Sequence, residues 1–350
     1  MSDSFHGIMT RFRDSRLYSA RIERECLFLG ESAKYLWRAA ARRGAWRRLL
    51  EEPIETIGFE TTDVCNGACT YCAYRLGEPT GCMDMAQYEK GILQWSELGG
   101  GTVVFGSLIG DPLLDPFLVK RIEFAARFES LGEIVFDTTG ILLQLPEIRD
   151  ALFELASRIR IEMTIWMPAF DRERYERVRG VLWDANVLQG ISDFLRRNES
   201  LGNPVAARLA IMADEAGILD VDDFTMLVRP FISPERITVM SRVRDSWCGR
   251  IDAGDLTGGM VLRRNPPFRG IPCRHLLGGR LDILMNGDVR LCGRRYGAGG
   301  KHDELVVGNI NATRLAQIVA GDGITRICEL FAAGRVPQVC RDCTLYTPAG

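Results

Sequence analysis

Residues 56–72, TIGFETTDVCNGACTYC, decide the fold. The β-branched and aromatic positions of Thr56–Thr62 suit a short strand, and the cysteines that follow stand on the loop leaving it, spaced Cys65-x3-Cys69-x2-Cys72. Three thiolates on such a loop can converge on one metal centre and leave its last coordination position open to a substrate or cofactor. A structural zinc site is closed by four protein ligands; the nearest further thiol is Cys82, and no histidine lies in the region.

Outward from this strand, β-rich runs alternate with helical spacing. Thr102–Leu108, Glu133–Thr138, Arg160–Trp166, Val205–Met212 and Arg236–Ser241 predict further strands. Asp84–Leu98, Pro116–Arg127, Pro146–Ser157, Asp171–Glu199 (broken near Gly180) and Asp222–Val228 predict the helices between them. The βαβα rhythm implies a parallel sheet. Six such units with right-handed crossovers give an α/β fold, a partial (β/α)6 barrel of the TIM type, with its chemistry at the carboxyl ends of the strands. After about Gly249 the pattern changes to Gly- and Pro-rich stretches, then a hairpin, RLDILMNGDVRLC, turning at Asn286-Gly287. Two short helices, Ala312–Ala320 and Ile324–Ala333, precede the terminal Cys340-Arg-Asp-Cys343. The expected organisation is an N-terminal helical extension over 1–52, a partial barrel over 53–249 and a small domain of hairpin plus helices over 250–350.

The 350 residues are 46% hydrophobic and 26% charged, which excludes a disordered or fibrous chain. A net charge of -2 gives no global sign of nucleic acid or an anionic membrane as partner. No apolar run approaches the roughly 20 residues of a membrane span, and the opening residues lack an apolar signal core, so a cytoplasmic location is expected. Eleven cysteines, an odd number, point to metal or redox chemistry rather than to a complete set of disulfides. The first 50 residues carry 11 basic and 5 acidic side chains. Within them Ser32–Leu50 reads as an amphipathic helix, packed on the main domain with snorkelling arginines, and is assigned no function.

VCNGACTYC resembles the C-x3-C-x2-C signature of the radical S-adenosylmethionine enzymes, with the aromatic Tyr71 before its last cysteine. The resemblance implies that Cys65, Cys69 and Cys72 hold a 4Fe-4S cluster whose fourth iron is chelated by S-adenosylmethionine. One electron then yields a 5'-deoxyadenosyl radical that takes hydrogen from an unactivated carbon. Gly106-Ser-Leu-Ile-Gly110-Asp111-Pro112 is similar to the family's Gly-Gly-Glu-Pro segment, which assigns Gly110 and Asp111 to the amino group of the cofactor. On this reading Asp115 caps the next helix and leaves Asp111 free. Asp137-Thr138-Thr139-Gly140 resembles a Thr-Asn-Gly stretch in relatives, Thr164 stands where a ribose-contacting hydroxyl is often found, and Arg208 on strand five is a candidate for the cofactor carboxylate.

Cys273, Cys292, Cys340 and Cys343, with Asn286-Gly287-Asp288 before the second of them, resemble the twitch form of the SPASM extension, which carries one auxiliary 4Fe-4S cluster. Zinc suits four such cysteines equally by spacing. Of the remaining thiols, Cys26 and Cys328 read as buried small hydrophobes. Cys82 and Cys248 are candidates to donate hydrogen to a product radical, and Arg242, Arg244 and Asp245 at the exit of strand six are candidate substrate contacts. The resemblance implies an external one-electron donor such as flavodoxin or ferredoxin. The reaction expected is dehydrogenation of a small polar metabolite, a sugar, aminocyclitol or nucleoside, with the auxiliary cluster accepting an electron. The alternatives are a radical epimerase or decarboxylase, a maturase of ribosomal peptides, and, outside enzymes, a zinc-stapled interaction protein.

Overall fold

The computed structural model describes residues 13, 18–41, 45–106, 108–212, 222–265, 269–277, 279–297 and 300–349. Residues 42–44 of the expected basic helix, and Ser107, lie outside them. Helix α1 (Ala20–Ala41) precedes strand β1 (Thr56–Phe59). There follow α2 (Met85–Glu97), β2 (Gly101–Phe105), α3 (Leu118–Ala125), β3 (Leu131–Thr138), α4 (Pro146–Ala156) and β4 (Arg160–Met167). Helices α5 (Arg172–Arg179) and α6 (Ala185–Ser200), β5 (Val205–Met212), α7 (Asp222–Leu227) and β6 (Ile237–Met240) complete the alternation. The break expected near Gly180 is the left-handed cap that ends α5, at φ 71°.

Strands β1 to β6 lie side by side in sequence order and pair in parallel. Alternation decides which face each strand buries. In β4, Ile161, Met163, Ile165 and Met167 are buried in one core with helix residues such as Leu152, Ile191 and Phe194. Each such side chain contributes about 1.5–3 kcal/mol by leaving water. The other members, Glu162, Thr164 and Trp166, face the side that the helices do not cover. The same alternation in β3 and β5 puts Asp137 and Arg208 on that concave face.

Two short strands, β7 (Val243–Arg244) and β8 (Val261–Leu262), pair beyond β6. The C-terminal hairpin, β9 (Arg280–Ile283) and β10 (Asp288–Arg290), is continuous with the barrel sheet: β9 pairs in parallel with β1, and β11 (Val306–Asn309) follows β10. The sheet therefore has nine strands, β11-β10-β9-β1-β2-β3-β4-β5-β6, and its end strands do not pair among the described residues, which makes the barrel partial. Helices α8 (Leu315–Ala320), α9 (Gly323–Ala332) and α10 (Gln338–Arg341) close the chain. The N-terminal segment packs on the barrel. The Tyr18 hydroxyl donates to Glu23 at 2.9 Å, the Ser241 hydroxyl donates to Glu23 at 2.7 Å, and the Arg242 N–H donates to the Tyr18 oxygen at 2.9 Å.

Candidate active site

The cysteine loop lies at the carboxyl end of β1 and is clamped by the end of α5. Ala68 N–H donates to Arg179 O at 3.0 Å, and Thr70 N–H donates to Val178 O at 3.1 Å. Gly180 makes this approach possible, because a Cβ there would stand 2.4 Å from Ala68 O. Inside the loop, a Cβ on Gly67 would meet Arg179 Cδ at 3.2 Å and lie in ordinary contact with Cys69 Sγ at 3.6 Å and Cys65 Sγ at 3.8 Å, so both sulfurs flank this stretch of backbone. The Gly67 N–H donates to Cys65 Sγ at 3.4 Å, and the Tyr74 N–H donates to Cys72 Sγ at 3.5 Å. Burial pushes the Cys65 and Cys72 thiols up to about 12.

Arg179, which carries no motif in the sequence, is the cation of this site. It is 1% exposed, its Nη1 points at Cys69 Sγ from 3.8 Å, and its Nη2 donates to the Trp166 and Thr139 carbonyls. Burial works against its charge, but Cys69, Tyr71 and Tyr175 outweigh it and raise its affinity for the proton. Arg244 stacks on the Tyr71 ring at 4.5 Å. Arg244 Nε and Nη2, Arg179 Nε and Asn66 Nδ2 are buried donors without an acceptor among the described residues. Unmatched donors around three thiols suit an anionic occupant, a cluster with its sulfides and a carboxylate above it. The residues present thus fit a 4Fe-4S cluster with S-adenosylmethionine.

Asp111 requires a correction. Its Oδ1 accepts from Leu113 N–H at 3.1 Å, and its Oδ2 accepts from the Thr138 hydroxyl at 3.0 Å, Thr139 N–H at 2.8 Å and the Thr139 hydroxyl at 2.5 Å. Both Asp111 and Asp115 cap, so the 1%-exposed Asp111 is not the unpartnered carboxylate expected: it joins the ends of β2 and β3. The Thr139 hydroxyl is likewise engaged, reaching Asn66 Oδ1 at 3.0 Å as well. Gly110, at φ 96°, lets this segment lie against the base of the cysteine loop, since a Cβ would stand 2.5 Å from Thr62 O. Thr164 and Arg208 are register partners on the concave face. The Thr164 and Trp166 side chains lie near Asp137 and favour its charged form, and Arg208 Nε donates to Glu162 at 3.0 Å.

At the exit of β6 several candidate residues have partners in the fold. Arg242 donates to Gly258 O and packs on Gly259, so its guanidinium holds a turn. Asp245 pairs with Arg295 and accepts from Trp247 N–H at 2.9 Å. Cys82 donates to the Thr62 hydroxyl at 3.4 Å, at the base of the cysteine loop. Cys248 is close enough to Cys343 for each thiol to perturb the proton affinity of the other.

The second group gathers Cys273, Cys292, Cys340 and Cys343, whose thiols act on one another electrostatically. Burial pushes Cys273 up to about 12 and raises Cys292 and Cys340 as well. Arginines surround it: Arg269 donates to Cys340 O at 3.2 Å and to Cys343 O at 3.0 Å, while Arg263, Arg290 and Arg295 exert their charge on these sulfurs. Four thiols inside a ring of cations fit a second, anionic iron–sulfur cluster. Cys328, fully buried beside Trp46 and Leu277, is a core residue. Among the described residues no helix is long and apolar enough to cross a membrane.

A model described as the radical SAM superfamily matches residues 59–198, and one described as the SPASM iron–sulfur cluster-binding domain matches residues 273–344. Among solved structures, the chain is similar to BtrN in complex with AdoMet and 2-DOIA, with TM-score 0.51 and 17% identity over 83% of this chain and 93% of that one. It is also similar to Streptococcus suis SuiB, with TM-score 0.50 and 13% identity over 81% and 68%. At these identities the likeness is one of fold. Comparison with curated proteins finds no match.

Proposed function

We propose, for a chain that belongs to the radical S-adenosylmethionine superfamily and carries a SPASM-type iron–sulfur domain, that it dehydrogenates an alcohol carbon of a small polar metabolite. The enzyme uses a 4Fe-4S cluster with S-adenosylmethionine and auxiliary iron–sulfur chemistry. When bound, these groups supply a carbon radical that takes a hydrogen atom, and a separate acceptor for one electron. Cys65, Cys69 and Cys72 are the ligands of the first; Cys273, Cys292, Cys340 and Cys343 are those of the second.

The observation that carries the reading is the polar, open concave face. Asp137 sits there on β3, solvent-exposed and near the Thr164 hydroxyl and the Trp166 indole, both of which favour its charged form. Burial raises its proton affinity, while Arg280 and Arg294 act on it in the opposite sense. Arg280 donates to Asp282 at 2.6 Å, and the Asp282 Oδ2 is buried without a partner among the described residues. Carboxylates and guanidiniums near enough to act on one another suit a substrate rich in hydroxyl and amino groups, a sugar or aminocyclitol above all. An alcohol becoming a carbonyl loses two protons and two electrons. A hydrogen atom accounts for one of each, Asp137 accepts the hydroxyl proton, and the remaining electron goes to the auxiliary acceptor. An external donor of the flavodoxin or ferredoxin class supplies the electron that starts each turnover, and the thiol-rich chain suits the reducing cytoplasm.

The test is isotopic. Turnover of a candidate substrate deuterated at the alcohol carbon, in ordinary water, is expected to place deuterium in 5'-deoxyadenosine and to consume one S-adenosylmethionine per carbonyl formed. Hydrogen from solvent at that carbon in an otherwise unchanged product would overturn dehydrogenation in favour of epimerisation. Turnover confined to a peptide substrate would overturn the small-molecule reading.

A further inference from the structure

We infer that α1 is the dimerisation element of this protein, its exposed apolar seam packing antiparallel on α1 of a second copy. The inference stands apart from the reaction and concerns a helix that the candidate active site leaves unused.

Ile22, Cys26, Leu29, Ala33, Leu36 and Ala40 follow one another at intervals of four, three, four, three and four residues. That spacing is the a/d pattern of a coiled coil, and it gathers all six on one stripe of the helix. All six are exposed, with Ile22, Leu29 and Leu36 at 55%, 65% and 56%. The other side of α1 holds it to the protein. Glu31 pairs with Arg263, Arg38 donates to Pro348 O, and the Tyr35 hydroxyl accepts from Gly270 N–H at 3.2 Å. At 3.6 residues per turn Glu31 and Arg38 lie about half a turn round from the seam, so the body of the chain stands behind the helix and the seam looks outward. An ordinary surface helix turns its polar side to water, whereas α1 turns out an unbroken apolar stripe, the mark of an interaction surface.

The seam suits its own copy. Ile22, Leu29 and Leu36 form a column of large side chains, and Cys26, Ala33 and Ala40 a column of small ones. In an antiparallel pair with its two-fold axis at the level of Glu31, Leu29 faces Ala33 of the second copy, Cys26 faces its Leu36, and Ile22 faces its Ala40. Each layer sets a large side chain against a small one, as close packing requires. A parallel pair would set Ala33 against Ala33 and leave a void. A two-fold axis also brings the residues beside it against themselves. Gly30 and Ser32 flank the seam at that level, and neither carries a charge that its own copy would repel. The 22-residue helix is about 33 Å long and 11 Å across, so a stripe a third of the way round it covers roughly 400 Å² in each copy and 800 Å² in the pair. Stable complexes bury about 1,200–2,000 Å², so this dimer is reversible and forms at micromolar concentration.

The test is sedimentation velocity of the full-length protein in reductant, from about 1 to about 100 µM. The wild type is expected to pass from monomer to dimer across this range. Leu29→Glu sets a charge into the seam and should stay monomeric throughout, with circular dichroism and iron content unchanged. Ala33→Glu, also at an exposed site, should give the same result and covers the case in which Leu29→Glu disturbs the fold. Leu182→Glu, at an 84%-exposed leucine between α5 and α6, should dimerise as the wild type does. Oxidation of Leu36→Cys should yield a covalent dimer whose bond joins position 36 of one copy to Cys26 of the other, identified by peptide mass analysis and abolished by adding Cys26→Ala. A wild type monomeric at every concentration, or a dimer indifferent to Leu29→Glu and Ala33→Glu, would overturn the inference. A wild-type covalent dimer joined from Cys26 to Cys26 would show parallel pairing and overturn it as well. A monomer that floats with anionic vesicles, and ceases to do so in Leu29→Glu, would give the seam to a lipid surface instead.

Discussion

Replacing Gly180 with alanine perturbs the first cysteine group from outside the motif. Gly180 sits at φ 71°, and a Cβ there would stand 2.4 Å from Ala68 O and 3.0 Å from Ala68 C, both backbone atoms. The left-handed conformation costs an alanine about 1–2 kcal/mol. Relief of the clash moves Ala68 away from α5 and breaks its 3.0 Å bond to Arg179 O, a further loss of about 0.5–1.5 kcal/mol. Ala68 lies between Cys65 and Cys69, so the displacement falls on the spacing of two of the proposed cluster ligands. The control is Gly202→Ala: Gly202 has φ 80° with nothing within 4 Å of its Cβ position, so it carries the backbone strain without the clash. Iron and sulfide analysis after anaerobic reconstitution, with thermal unfolding alongside, is the assay. The expected outcome is a small loss of stability in Gly202→Ala and a larger one in Gly180→Ala, with about four irons lost from Gly180→Ala and none from Gly202→Ala. Full iron in Gly180→Ala, or equal iron loss in both, would refute the argument that the end of α5 shapes the cysteine loop.

Three further outcomes are expected. Arg244→Gln removes a buried guanidinium with two unpaired nitrogens beside Tyr71, and S-adenosylmethionine binding measured by equilibrium dialysis should weaken about tenfold or more, at 1.5–3 kcal/mol for a charged hydrogen bond; unchanged affinity would remove Arg244 from the cofactor site. Asp111→Ala strips the shared acceptor from Thr138 and Thr139, and its urea midpoint should fall by an amount equivalent to about 1–3 kcal/mol. A variant as stable as its parent, with S-adenosylmethionine affinity lost, would restore Asp111 to the cofactor. Finally, burial lifts Cys65, Cys72 and Cys273 from an ordinary value near 9 to about 12, so folding favours their neutral form. That stability is present below pH 9 and is lost as pH rises from 9 towards 12, so the urea midpoint of cluster-free protein should decline between pH 8 and 10.5. A flat profile would contradict the burial argument.

The alternation of strands and helices was legible because each element carries its own period, and Val205–Met212 coincides with β5 residue for residue. The cysteines were legible because their spacing is local. The features missed depend on chain segments meeting in space. Arg179 reads as one of several arginines on a polar helix until the end of α5 arrives at Ala68 and Thr70. The choice between Asp111 and Asp115 as the cap was posed as exclusive, whereas the structure uses both, and only the closeness of β3 shows that Thr138 and Thr139 claim Asp111. The hairpin at Asn286-Gly287 was visible, but its parallel pairing with β1 was not, since register between distant strands leaves no local trace. The nearness of Cys248 to Cys343, far along the chain, likewise leaves no local trace.

The central claim is that one open iron–sulfur site stands beside one closed site. Its most direct measurement is iron and sulfide content with low-temperature electron paramagnetic resonance, before and after S-adenosylmethionine, on the wild type and on Cys65/Cys69/Cys72→Ala. The account predicts about eight irons in the wild type with one cluster signal shifted by S-adenosylmethionine, and about four irons with no response in the variant. Zinc in place of iron, or a variant that keeps all its iron and still responds to S-adenosylmethionine, would contradict it.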